Sequence, residues 1–161
     1  MKGIIRSQGS LIAENLYERK IDFASEWKVD EDKNVLFLGL SLFHSSNRGK
    51  YQGNLLESQS DIENLLRKNS KWNSSYLHIQ QDFIKKYISP IYSGPVGFDM
   101  LADKDGEINP CVEINIRRTM GHVAIEVEKM LREESDSNTK KIIHEYFPDN
   151  VFSIKRLVNE N

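Results

Sequence analysis

The chain has 161 residues, of which 39% are hydrophobic and 29% are charged, and its formal net charge is −2. This composition excludes a disordered chain, fits one domain, and gives no global field that would attract nucleic acid or an anionic membrane. No apolar run approaches the ~20 residues of a membrane span, and the single cysteine, Cys111, cannot form an internal disulfide, so we expect a cytoplasmic protein.

The first predicted elements form a β-hairpin over residues 20–43. Residues 21–29 alternate apolar and polar side chains, residues 30–34 have turn composition, and residues 35–43 are again typical of a strand. Residues 44–54 show neither a helical nor a strand period. Their two glycines and two asparagines predict a loop.

Two helices are predicted next. Ser60 followed by Glu63 forms a capping box for a short helix. A longer helix follows and ends at Pro90, since proline cannot continue a helix. Aromatic residues recur along it at helical spacing, which indicates that they belong to the core. They are Trp72, Tyr76, Phe83 and Tyr87.

A second hairpin is predicted over residues 95–116. Residues 95–102 form a buried strand, Asp105 and Gly106 supply the tight turn, and residues 108–116 form the return strand. The remaining predicted elements are a helix with the apolar residues Val123, Val127, Met130 and Leu131, a polar loop over 133–140, a helical turn over 141–146 and a strand over 151–154. Together these elements predict an α+β domain with a mostly antiparallel sheet flanked by helices.

Three oxygen-bearing side chains are predicted to converge on the second hairpin. Asp99 lies in an otherwise apolar strand, while Glu113 and Asn115 lie two residues apart on the partner strand and therefore share one face. Such oxygens on rigid strands suit Mg²⁺. Arg117 continues the alternation, and its guanidinium would stabilise charge on a phosphoryl group or an acyl phosphate. The alternative is an ordinary exposed strand face, where these residue types are common.

Residues 94–122 resemble the metal-binding end of the ATP-grasp superfamily, which includes biotin carboxylase, carbamoyl phosphate synthetase and D-alanine–D-alanine ligase. The family pattern is an Asp in a strand, an Asp-Gly-type hairpin and then Glu-x-Asn. In the carboxylase-like branches it continues as Glu-x-Asn-x-Arg, which the segment Glu-Ile-Asn-Ile-Arg matches. The resemblance implies an ATP-grasp C-terminal lobe that uses ATP and Mg²⁺ (or Mn²⁺). It implies that Glu113 bridges two metal ions and that Asp99 and Asn115 each support one. Arg117 would be the catalytic residue that faces the reacting group.

A short segment near the start of the chain resembles the family's interlobe hinge, whose backbone binds adenine. The resemblance implies that Glu14, Asn15 and Leu16 contact the base of ATP. A plain edge strand is the alternative interpretation of the same residues.

Substrate contacts are predicted in two further places. In the loop over residues 44–54, Arg48, Lys50 and Tyr51 would bind an anionic substrate, unless the loop is simply solvated. His122, near the start of the last long helix, would also contact substrate. A role at the beginning of the helix is the alternative for this histidine.

The resemblance covers residues 10–130 and implies an ATP-dependent carboxylate–amine or carboxylate–thiol ligase that acts through an acyl phosphate. Its partners would be ATP and a small carboxylate, with no nucleic acid and no membrane. We interpret residues 1–161 as a single domain, the C-terminal part of an ATP-grasp domain whose N-terminal lobe is absent. We therefore expect the chain alone to be inactive, and self-association is plausible because the surface that would face that lobe is open.

One departure from the family and one alternative function stay open. Several amino-acid ligases of the family have an Arg two residues before the strand Asp, where this chain has Gly97. The alternative function is a truncated, non-catalytic ATP-grasp-like module for binding or assembly.

Overall fold

The computed structural model describes residues 6–7, 9–10, 17–46 and 50–133. The hinge-like residues and the elements predicted over 133–140, 141–146 and 151–154 lie almost wholly outside these ranges. Within them, no helix is long and apolar enough to cross a membrane.

A five-stranded antiparallel sheet forms the centre of the fold. The strands are β1 (Arg19–Val29), β2 (Val35–Ser45), β3 (Tyr51–Leu55), β4 (Gly94–Asp103) and β5 (Ile108–Asn115). The helices are α1 (Gln59–Asn69), α2 (Ser75–Phe83), a π-helical segment (Ile84–Ile88) that continues α2, and α3 (Met120–Glu133). The strands lie in the order β3-β2-β1-β4-β5, so β1 is central and β5 is an edge. The predicted α+β class is confirmed.

Both predicted hairpins are present, but part of the predicted loop is a strand. Val29 pairs with Val35 across the first turn, and Gly106 adopts φ +79° in the second. The prediction of a loop over 44–54 is wrong at both ends, since residues 44–45 belong to β2 and residues 51–54 belong to β3, which pairs with β2. Backbone pairing with β2 outweighs the low strand propensity of glycine and asparagine here.

The two faces of the sheet differ in chemistry. The core face carries apolar side chains such as Phe23, Leu40 and Met100, and Ile62 and Leu66 of α1 pack against them. The opposite face, which we call the site face, carries polar residues of successive strands and is covered by α3 mainly over β2. Its members discussed below are Glu26 of β1, Ser41 of β2, Gly97 and Asp99 of β4, and Glu113 and Asn115 of β5.

The predicted aromatic core divides into a buried half and an exposed half. Trp72 is buried, stacks on Tyr76 at 5.7 Å and meets Phe23 edge-on. Phe83 and Tyr87 are 37% and 54% exposed, so the prediction that they are core is wrong for these two. The neighbouring Ile84 and Ile88 fill the core from this helix instead.

The N-cap of helix α1 lies two residues before the predicted one. Ser58, not Ser60, is the N-cap, and its Oγ accepts a hydrogen bond from the backbone N–H of Asp61 at 3.0 Å. Ser58 is buried, so water cannot replace this bond.

We predict that Ser58→Ala lowers the free energy of unfolding by about 1 kcal/mol, because it leaves a helix N–H without its partner. Urea denaturation measures the change. Ser74→Ala is the matched control, since Ser74 caps α2 without a side-chain hydrogen bond. Equal losses in the two variants would contradict this account of the cap.

Candidate metal centre

The register of β4 against β5 brings the three predicted metal ligands together. Asp99 pairs directly with Glu113, and Asn115 pairs with Gly97, two positions along the same face. The Asn115 amide Nδ2 donates to Asp99 Oδ2 at 3.3 Å. Asn115 is buried, Asp99 is half-buried and Glu113 is exposed, so the group opens outward on the Glu113 side.

Ionisation of Asp99 is disfavoured in this setting. Burial, followed by the negative charges of Glu113 and Glu26, raises the pKa of Asp99 from 3.8 to about 6, although the Asn115 hydrogen bond and the Arg117 charge oppose the shift. Like charges opposed across two strands destabilise a sheet. A cation between the carboxylates would remove that repulsion.

The oxygen donors suit a hard divalent cation that keeps part of its hydration shell. Over the described part of the chain, no group of three or more His, Cys, Asp or Glu side chains is placed to hold a metal ion. The donors of the candidate centre are the carboxylates of Asp99 and Glu113 and the amide of Asn115. Mg²⁺ is commonly held by one or two carboxylates together with waters and substrate phosphates, so this donor set suits it.

Arg117 lies at the edge of the same group. Its side chain is exposed, its Nη1 donates to the Arg118 carbonyl at 3.4 Å, and its charge acts on Asp99. Its positive charge therefore partly offsets the negative charges around Asp99.

On the face of β5 opposite Glu113 and Asn115, the side chains are apolar, but only some of them are buried. Ile114 packs against the core, whereas Val112 and Ile116 are 47% and 51% exposed. As an edge strand, β5 is covered by neighbouring side chains only in places, at Ile108 and Ile114.

Sequence reasoning missed a buried carboxylate beside this group. Glu26 of β1 is 1% exposed and pairs with Gly97 of β4, so it lies in the row next to Asp99. Thr119 Oγ1 donates to its Oε2 at 2.9 Å, and Ser41 Oγ donates to its Oε1 at 3.1 Å. Residues 21–29 alternate apolar and polar side chains, so an acidic residue among them gave no sign of burial in the sequence.

His122 faces this carboxylate instead of the solvent. It is 3% exposed, its Nδ1 lies 2.8 Å from Glu26 Oε2, and its Nε2 lies 3.0 Å from the Trp27 carbonyl oxygen. Both ring nitrogens are engaged, so His122 offers none to a substrate in this arrangement. The geometry favours the helix-start alternative, and the substrate contact stays a prediction.

The charge of His122 is coupled to that of Glu26. Burial opposes the imidazolium, but the hydrogen bond and charge of Glu26 outweigh it and raise the pKa of His122 above 6.5. A folded-state pKa above the unfolded value stabilises the fold below pH 6.5, and this contribution is lost as pH rises through the folded-state value.

The predicted loop residues lie apart from the candidate metal centre. Lys50 and Tyr51 belong to the β3 edge of the sheet, and Asp99, Glu113 and Asn115 lie on the β4–β5 edge. Four strand spacings of about 4.8 Å separate β3 from β5, or about 19 Å. The Tyr51 hydroxyl donates to Asn54 Oδ1, and burial raises the pKa of Tyr51. Arg48 and the hinge-like residues Glu14, Asn15 and Leu16 lie outside the described residues, and their roles stay predictions.

The arrangement of the chain is similar to part of a solved enzyme. The biotin carboxylase of Campylobacter jejuni, solved as a β-γ-ATP complex, matches with a TM-score of 0.54 and 15% sequence identity. The match covers 94% of this chain and 31% of the carboxylase chain, so this chain spans less than a third of that protein. The likeness shows an ATP-grasp type of fold. No protein-family model and no curated protein sequence matches the chain.

We predict that Asp99→Asn raises the melting temperature at pH 7.5 by about 2–5 °C in the absence of metal, because it removes a carboxylate that is costly to ionise. The pKa of Asp99 rises from 3.8 to about 6 on folding, so this destabilisation grows between those pH values. The increase in melting temperature should therefore vanish below about pH 4, where Asp99 is protonated in both the folded and the unfolded chain. Thermal melts from pH 3.5 to 7.5 test this expectation.

Asp105→Asn, in the exposed β4–β5 turn, is the control for removing one carboxylate. If both variants shift the melting temperature equally at every pH, the repulsion at Asp99 is not the cause.

We predict that Gly121→Ala destabilises the fold by about 1–3 kcal/mol, although Ala normally favours a helix over Gly by about 1 kcal/mol. A Cβ at this position would lie 1.8 Å from Glu26 Oε1 and 2.4 Å from Ser41 Oγ. Urea denaturation shows whether the free energy of unfolding falls or rises. Met130→Ala, at an exposed position of α3, is the control, and a stabilised Gly121→Ala variant would contradict the close approach of α3.

Proposed function

We propose that this chain is the metal- and nucleotide-binding lobe of an ATP-dependent ligase. The observation that supports the proposal most directly is the convergence of Asp99, Glu113 and Asn115 on one face of an ATP-grasp type of fold. An ordinary exposed strand face gains nothing from two carboxylates at directly paired positions. Here burial and this pairing raise the pKa of one of them, Asp99, to about 6, which is typical of a functional site.

In this proposal each residue has one task. Asp99 and Asn115, fixed by their mutual hydrogen bond, hold one side of the cation site, and the exposed Glu113 completes it toward the nucleotide. When bound, Mg²⁺ would neutralise charge on the phosphates of ATP. Arg117, beside Asp99, would stabilise the charge of the phosphoryl group during its transfer.

The proposed reaction is the activation of a small carboxylate. A carboxylate oxygen of the substrate attacks the γ-phosphorus of ATP, and the bond to the β-phosphate oxygen breaks to release ADP. An amine or a thiol then attacks the acyl carbon, and inorganic phosphate leaves. Positioning and charge neutralisation account for most of such catalysis, which is why rigid strands suit the site.

We predict that Glu113→Gln weakens binding of Mg²⁺ with a non-hydrolysable ATP analogue at least about tenfold, because a charge-assisted contact of this kind contributes about 1.5–3 kcal/mol. We expect an affinity of about millimolar for the unaltered chain, which corresponds to only about 4 kcal/mol. Titration followed by backbone amide chemical shifts suits this range.

Glu107→Gln is the matched control. Glu107 is exposed, belongs to the same hairpin and pairs with Lys71, away from the metal centre. Equal affinities for Glu113→Gln and the unaltered chain would refute the role of Glu113. Binding without any ATP turnover, in the chain joined to a complementary lobe, would favour the non-catalytic module.

A further inference from the structure

The buried cluster around Glu26 joins the centre of the sheet to the segment that follows the metal centre. Its partners come from three places: Ser41 on β2, Thr119 before α3, and His122 in the first turn of α3. Thr119 Oγ1 also lies 2.8 Å from His122 Nδ1. Glu26 and His122 are 1% and 3% exposed, so these bonds form in the interior, where an unpaired charge is costly.

Two glycines make room for the Glu26 carboxylate. A Cβ at Gly97 would lie 2.8 Å from Glu26 Oε2, and a Cβ at Gly121 would lie 1.8 Å from Glu26 Oε1. The glycine at position 97, which departs from the pattern of several amino-acid ligases, therefore has a physical reason in this fold. No larger side chain fits there while Glu26 keeps its partners.

The cluster holds the backbone on the C-terminal side of Arg117. Asn115 is fixed in β5 by its pairing with Gly97, and Thr119 is fixed by its bond to Glu26. Arg117 lies midway between these two anchors. The exposed Arg117 side chain makes one hydrogen bond, a long one to the Arg118 carbonyl, so the two backbone anchors determine where the side chain starts and points.

We propose that Glu26 and His122 are positioning residues that hold the Arg117 segment in place beside the metal centre. This inference rests on the proposed function, in which Arg117 acts on a bound phosphate. Glu26 acts through Thr119 and His122, and it does not itself touch the nucleotide. The same pair would stabilise the fold in any case, so the experiment has to separate positioning from stability.

The first part of the experiment needs no ligand. Backbone amide order parameters are measured for residues 116–119 in the full chain, in Glu26→Gln and in the milder Thr119→Val, which keeps the shape of the side chain but removes its hydroxyl. We expect order parameters of about 0.85 in the unaltered chain and below about 0.6 in both variants, while the order parameters of α1 stay the same in all three. A segment that stays rigid in both variants overturns the inference.

The second part is a double-mutant cycle with Mn²⁺ and a non-hydrolysable ATP analogue. We expect Thr119→Val and Glu26→Gln to weaken binding about 3–10-fold when Arg117 is present, and less than about twofold in the Arg117→Ala background. Ser58→Ala, which costs stability at a remote helix, should leave the affinity unchanged. Equal losses in both backgrounds would show that the cluster acts only through stability and overturn the positioning role.

The two proposals fail in different ways. If the unaltered chain binds no Mn²⁺–nucleotide while residues 116–119 still lose order in Glu26→Gln, the anchoring is upheld and the proposed function is wrong. If the chain binds nucleotide and the cycle shows no coupling to Arg117, the proposed function stands and the positioning role is wrong.

Discussion

The site depends on the cross-strand pairing that places Asp99 opposite Glu113. Two carboxylates at directly paired positions repel each other, and burial of Asp99 adds to the cost of its charge. A sheet edge built only for stability would place opposite charges or apolar side chains at these positions. The cost is understandable if the pair serves to attract a cation, because the same repulsion is relieved when the cation binds.

The surroundings of this pair are built to make its geometry rigid. β4 is hydrogen-bonded on one side to the central strand β1 and on the other to β5, so Asp99 cannot move without disturbing three strands. Asn115 holds the Asp99 carboxylate directly. Behind them, Glu26 and His122 connect β1 to the start of α3, and Gly97 and Gly121 leave the space that this connection needs. Rigid support of this kind is what a positioning-based catalyst requires.

The parts of the fold that could be predicted from the sequence are those encoded by local patterns. The alternation on either side of Asp105 and Gly106 determines which side chains share a face, so the convergence of Asp99 with Glu113 and Asn115 followed from spacing alone. The existence of the helices likewise followed from their apolar periodicity, although Trp72 precedes α2, and Phe83 and Tyr87 are exposed where core residues were predicted.

What could not be predicted depends on contacts between distant parts of the chain. Strand β3 contains Gly53 and Asn54, which disfavour strands, and it exists because β2 offers a free edge. The burial of Glu26 depends on α3, which begins more than 90 residues later. The same distance along the chain hid the partners of His122. The sequence suggested a substrate contact, whereas the ring contacts Glu26 and Trp27 in the interior.

The central claim is that Asp99, Glu113 and Asn115 form one divalent-cation site. It is tested most directly by paramagnetic broadening of backbone amide signals when substoichiometric Mn²⁺ is added to the isotope-labelled chain, since Mn²⁺ prefers the same oxygen ligands as Mg²⁺. The account predicts broadening centred on residues 98–100 and 112–116. Broadening that is centred on other exposed carboxylates, such as Glu31 or Asp61, or spread evenly over the surface, would contradict it.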